Sequence, residues 1–277
     1  MVSMPVVVHN DYFKWQLDLF WHCHKNVYGD DANNKAVALV VKRNYQEEPK
    51  IENFSWGIDM PYIMCEAYFD YLFLNKTFTD PVLYVPINIQ TSLAQAIFNF
   101  EDEEVIEILD ADMCYVRKPE NINVKDDEIY VDTIYENWHL KSLNENKNVI
   151  SMYFENNGDY YNGGFVPIIG KVKTFKKILR EWILVHLDIL TRNYGANIKW
   201  WAGMFSLQVA CEKAKVKMVA IKCCYVPVIN QLEDSHYVVH YAVDKKFNKK
   251  TFPNINTEDF ENNLFYKSIL SWIPNRI

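Results

Sequence analysis

Val105-Ile106-Glu107-Ile108-Leu109-Asp110-Ala111-Asp112-Met113-Cys114-Tyr115-Val116 decides how the rest of the chain is read. Apolar residues run up to two acids one residue apart and resume after them. A run dominated by Val, Ile and Leu suits a strand covered on both faces, and the acids then mark the turn at its carboxyl end. Alternate side chains of an extended backbone share a face, so Asp110 and Asp112 can address one object beyond the strand. Two unpaired carboxylates beside a core are costly unless something positive joins them. A hard divalent cation, Mg²⁺ or Mn²⁺, that itself carries a diphosphate meets that need. On spacing alone, one capping Asp and one solvated Asp would explain D-x-D equally well, so the surrounding chain has to weigh between the two.

The 277 residues suffice for one large α/β domain, and a hydrophobic content of 49% supplies its core. Aromatic residues make up 15%, with 18 Tyr and 8 Trp, which fits a stacking cleft for sugars or bases and fits a dense core equally. A net charge of −7 repels a phosphate backbone, so no nucleic-acid partner is expected. Six cysteines without C-x-x-C spacing read as reduced, mostly buried thiols of a cytoplasmic protein. Met1 to Pro5 has no basic leader, and no apolar run is long enough to span a membrane. The expectation is therefore no signal peptide, no transmembrane anchor and a cytoplasmic location.

In order along the chain, Pro5 to Asn10 reads as a first strand, Asp11 as a helix cap and Asp11 to Lys25 as an amphipathic helix. The turn between them holds His9, Asn10 and Tyr12 at a strand's carboxyl end, where open parallel sheets bind ligands. Lys35 to Lys42 reads as a second buried strand, Ile51 to Gly57 as loop, Pro61 to Leu74 as helix and Leu93 to Phe100 as another helix. Repeated β–α units with right-handed crossovers predict an α/β fold with a central, mostly parallel sheet flanked by helices. The chain has only 8 Gly and no Gly-rich phosphate loop, so metal and side chains would have to hold a diphosphate.

Asn121 to Asn148 is polar and acidic and reads as a solvated flank. Val172 to Arg192 and Trp200 to Lys215 read as helices, Met218 to Val228 and Tyr237 to Tyr241 as strands. His240 ends the last strand, and the densest basic cluster, Lys245, Lys246, Lys249 and Lys250, follows it. Beside an open D-x-D this His reads as a third metal ligand with phosphate-neutralising neighbours. His22 and His24 stand at i, i+2 on a helix and face apart, which argues against a metal tract there.

Ile108-Leu109-Asp110-Ala111-Asp112-Met113 resembles the D-x-D segment of GT-A glycosyltransferases, in particular peptidyl serine α-galactosyltransferases and hydroxyproline O-arabinosyltransferases. Tyr12-Phe13-Lys14-Trp15-Gln16 resembles their Y-F-x-W-Q, Pro86-Ile87-Asn88 their P-x-N, and Asn162-Gly163-Gly164 their G-G-V segment. Trp200 with Met204-Phe205 resembles their W-x-x-E-M-Y, and Tyr225-Val226-Pro227 with His240-Tyr241 their Y-V-P and F-H-Y-G. Gly203 stands where the family has an acid, and Ala242 where it has Gly. In its shortness and acidity the chain is similar to glycosyltransferases that large algal viruses encode for capsid-protein N-glycans, which makes xylosyl transfer the first expectation and galactosyl or arabinosyl transfer the alternatives.

The resemblance implies a Rossmann-like GT-A domain over 1–277, with a nucleotide-sugar half (1–119) and an acceptor half (150–277). It implies a UDP-sugar donor, Mn²⁺ or Mg²⁺ held by Asp110, Asp112 and His240, and a glycan or glycoprotein acceptor. His9, Asn10 and Tyr12 would cradle the uridine. Asn88, Gln90, Ala111, Trp201 and the Asn162-Gly163-Gly164 turn would lie along the donor, with Lys245 and Lys246 at the phosphates. An inverting reaction needs a base, for which Asp159 is the first candidate and Glu212 the second. A module that binds UDP-sugar without turnover is the competing expectation.

Overall fold

The computed structural model describes residues 1–42, 51–53, 57–67, 85–120, 122–133, 141, 145, 151–154, 165–192, 194, 196–227, 229–241 and 264–272. The main sheet has eight strands: β1 (Val2–Val8), β2 (Ala38–Lys42), β3 (Ile51–Asn53), β4 (Pro61–Glu66), β5 (Val105–Asp110), β7 (Glu128–Asp132), β8 (Phe165–Lys171) and β9 (Lys217–Ile221). They lie in the order β3-β4-β2-β1-β5-β8-β7-β9. Only β3 and β8 run against the rest. β1 pairs in parallel with β2 and β5, the register placing Val6 beside both Leu39 and Asp110. Met4, Val6, Val7 and Val8 of β1 and Ile106, Ile108 and Leu109 of β5 are buried on both faces, as a strand under helices must be. A second sheet, β10-β11-β6, is built from β6 (Met113–Tyr115), β10 (Cys224–Tyr225) and β11 (Val238–His240).

Among the described residues five α-helices flank the sheets: α1 (Asp11–Tyr28), α2 (Val85–Ala96), α3 (Val172–Thr191), α4 (Ala196–Lys213) and α5 (Leu264–Trp272). Asn10 starts α1 by accepting the Phe13 N–H at 3.0 Å, and Gly29, at φ +60°, ends it in the left-handed conformation that glycine adopts most easily. Between them Phe13, Leu17, Phe20, Trp21 and His24 make the buried face at helical spacing. Gly170 of β8 leaves room for the Phe175 ring of α3; a Cβ there would lie 2.5 Å from Ile129 Cδ1.

Four sequence expectations are corrected. Pro61 to Glu66 is a strand, not the start of a helix, because it sits beside the buried Ala38–Val41 run of β2 with Ile63 opposite Leu39; residues 68–74 lie outside the described set. Ile51 to Asn53 is an antiparallel edge strand rather than loop. Inside the polar Asn121–Asn148 stretch, Glu128 to Asp132 alternates enough to form β7, which pairs on both sides. The helix expected at Leu93 begins earlier, at Val85. Among the described residues no helix is long and apolar enough to cross a membrane.

Candidate active site

At Asp110 the chain leaves the main sheet, turns through Ala111 and Asp112, and enters the second sheet as β6. β6 pairs with β11 antiparallel, setting His240 opposite Met113, and the Tyr241 N–H donates to the Asp112 carbonyl at 3.1 Å. This pairing carries a His from the far end of the chain to the D-x-D turn. His240 Nε2 lies 3.1 Å from Asp112 Oδ1 and 4.0 Å from Asp110 Oδ2. One ligand atom from each of the three lies within 4.8 Å of the others.

Asp112 and His240 are each 7% exposed, while Asp110 is partly open to solvent. Two carboxylate oxygens and one imidazole nitrogen, converging and largely shielded from water, are a donor set that fits Mn²⁺ or Mg²⁺. The surroundings are negative: burial first, and then Asp132, push the Cys224 thiol up, with Asp110 and Asp112 adding to the shift. A cation held there would relieve the repulsion. His240 is steadied by its neighbour, for Tyr241 stacks on Phe265 of α5 at 5.6 Å and 18°.

The other expected site residues divide into groups. His9 continues the β1–β2 ladder by donating its N–H to Val41 at 2.8 Å, and its side chain stays partly open. Burial, then Lys42, lower the His9 pKa, so the ring is neutral near pH 7. Tyr12 is 39% exposed and meets Phe13 edge-on, whereas the Asn10 Oδ1 is committed to the helix cap. Ala111 is buried in the turn, and Trp201 is half-buried.

Asn88 and Gln90 are closed off from solvent: α2 packs under α3 and α4, and the Gln90 amide donates to His186 Nδ1 of α3. Glu212 is not brought to the metal group. It lies in the last turn of α4, which delivers the chain to the amino end of β9, and β9 and β7 run with β5. Its end of the sheet is therefore opposite to the one that carries Asp110. Asp159, Asn162, Gly163, Gly164, Lys245 and Lys246 lie outside the described residues. His24 is buried between rings, 4.4 Å from that of Tyr28, and His22 is hydrogen-bonded to Ser271 at 2.8 Å.

Two groups near the site went unread in the sequence, Glu107 and Asp132. A lone acid inside an apolar strand was the available signal for Glu107, since a buried charge demands partners. Asp132 offered less, because it closes a strand that was itself unrecognised.

A mostly parallel sheet flanked by helices, with a D-x-D turn at its carboxyl edge, is the GT-A glycosyltransferase fold. The chain matches no family model, and no curated protein sequence matches it significantly. Among solved structures it is similar to WbbM, a bifunctional glycosyltransferase, with TM-score 0.53, 11% identity, 99% of this chain covered and 50% of that one. It is also similar to an active-site mutant of LgtC, with TM-score 0.50, 10% identity and 98% and 95% covered. The galactosyltransferase LgtC with donor and acceptor sugar analogues superposes at TM-score 0.44, with 12% identity and 86% and 87% covered. The chain spans half the length of WbbM. At such identities the likeness shows the fold.

Proposed function

We propose that the chain is a metal-dependent glycosyltransferase that moves a sugar from a UDP-sugar to a glycan or glycoprotein acceptor. The convergence of Asp110, Asp112 and His240 at the carboxyl edge of the sheet carries this reading. Asp110, Asp112 and His240 would hold Mn²⁺ or Mg²⁺. When bound, the ion would offset the charge on the diphosphate and on the UDP leaving group. His9, partly open after the end of β1, suits the uracil edge, and Tyr12 offers an exposed ring for stacking. Asp159 is the residue to substitute first for an acceptor base, and Lys245 and Lys246 for contacts to the phosphates. The sequence resemblance to algal-virus enzymes puts UDP-xylose first among donors, ahead of UDP-galactose and UDP-arabinose.

Calorimetric titration of UDP with and without Mn²⁺, on the wild type and on Asp112→Asn, tests the reading, followed by UDP release from a panel of UDP-sugars. The expected result is Mn²⁺-dependent binding, weakened at least tenfold in Asp112→Asn, and release from one sugar above the rest. Wild-type UDP binding indifferent to Mn²⁺ would sink it.

A further inference from the structure

Two buried carboxylates outside the metal group, Glu107 and Asp132, hold the two segments that meet at the start of β11: Tyr237, and the Cys223–Cys224 backbone that pairs with it. Glu107 and Asp132 are 0% and 2% exposed. Glu107 projects from β5, three residues before Asp110. Its Oε1 accepts the Tyr237 hydroxyl at 2.7 Å, and its Oε2 accepts those of Tyr115 and, at 3.4 Å, Ser3. Asp132 closes β7, and its Oδ2 accepts the backbone N–H of Cys223 at 2.7 Å and of Cys224 at 2.8 Å. Cys223 in turn gives its carbonyl to the N–H of Tyr237 at 3.0 Å and of Val238 at 3.1 Å. Tyr237 directly precedes β11, Val238 opens it, and it ends on His240. Glu107 thus holds the chain at the start of β11 directly, through the Tyr237 hydroxyl, and Asp132 holds it at one remove, through the Cys223 peptide.

β11 needs such help. It has three residues, and it pairs with the two of β10 and the three of β6, so its own ladders are too short to fix its register. Burying two carboxylates carries a desolvation cost, which these contacts offset. A ligating His gains affinity when its ring is held in place by outer partners. We propose that Glu107 and Asp132 are positioning residues, which fix β11 and through it turn the His240 imidazole toward Asp112. The inference rests on the metal-site reading above and extends it to two residues that touch neither metal nor substrate.

The test is UDP calorimetry at increasing Mn²⁺ on the full chain, as wild type, Asp132→Asn, Tyr237→Phe and His240→Ala, and with Asp132→Asn and Tyr237→Phe each combined with His240→Ala. Thermal melts run alongside. Asp132→Asn is expected to raise the Mn²⁺ requirement about tenfold, and Tyr237→Phe severalfold. Neither should add anything in the His240→Ala background, because the effect passes through that ring. Tyr237→Phe removes one hydroxyl and keeps the packing, so it decides the matter should Asp132→Asn not fold. A merely structural role would lower the melting temperature and weaken binding by the same factor in both backgrounds. Such additivity, or a wild-type Mn²⁺ requirement in both brace variants, overturns the positioning role alone. No Mn²⁺ effect in the wild type overturns the metal site, and this inference with it.

Discussion

Glu107 is a fully buried carboxyl, in surroundings that disfavour its charged form. Burial raises its pKa to about 7, although the hydroxyls of Tyr115, Tyr237 and Ser3 pull the other way. A carboxyl raised in the folded state binds its proton more tightly there than in the unfolded chain. Its contribution to stability is therefore full at acid pH, below the unfolded value of about 4.5, and is lost as pH rises through about 7. The difference corresponds to on the order of 3 kcal/mol. Glu107→Gln keeps the shape and abolishes the titration. The stability of the wild type relative to this variant, from urea unfolding between pH 4 and 8.5, should fall as pH rises. A flat difference curve would show that Glu107 does not titrate in that window. At this scale the sequence was legible where spacing is local. Asp110 and Asp112 share a turn, and His240 was found through its strand end and the lysines after it. Asp132 and Glu107 find partners 91 and 130 residues away, so the sequence hid their roles; the apolar strand around Glu107 hinted at its burial, but nothing local distinguishes Asp132 from an ordinary surface acid.

The elements that frame the site depend on their ends. α1 begins at the edge where Asp110 emerges, and its start rests on the Asn10 side chain. Asn10→Ala is expected to cost about 1 kcal/mol, read as a lower urea midpoint with an unchanged m-value. Unaltered stability would mean that the cap is dispensable. The other side of α1 is clamped by α5, where the Trp272 indole donates to Asp18 at 2.6 Å and Phe265 lies against Tyr241. The strands with unbroken Val/Ile/Leu runs and the long helix α3 were legible, because burial on two faces and a 3.6-residue period each leave a plain pattern. β4 was misread, since Tyr62-Ile63-Met64-Cys65 is too short an apolar run to separate strand from helix; its pairing with β2 decides. β7 was hidden by its acidic ends, Glu128 and Asp132, of which the second is buried for a structural reason.

For the whole molecule, the two sheets are not independent bodies. The chain crosses between them at the D-x-D turn, where β5 becomes β6, and again where β9 passes to β10. Glu107 and Asp132 reach from the first sheet to the strands of the second. A ligand held by Asp110 at the edge of one sheet and by His240 at the end of the other is thus held by both, and the second sheet cannot melt first without taking the site with it. Mn²⁺ and UDP should then raise a single thermal transition. At a hundredfold excess over the dissociation constant the stabilisation is about 2.7 kcal/mol. For a chain of this size that is a shift of roughly 5 °C. His240→Ala should abolish most of the shift while leaving one transition. The check is differential scanning calorimetry of the full chain with Mn²⁺, with UDP and with both. Two transitions, of which only one moves with ligand, would show that the second sheet unfolds on its own. The D-x-D turn would then be a hinge between two bodies, and the metal ligands would come together only when the ligand draws them.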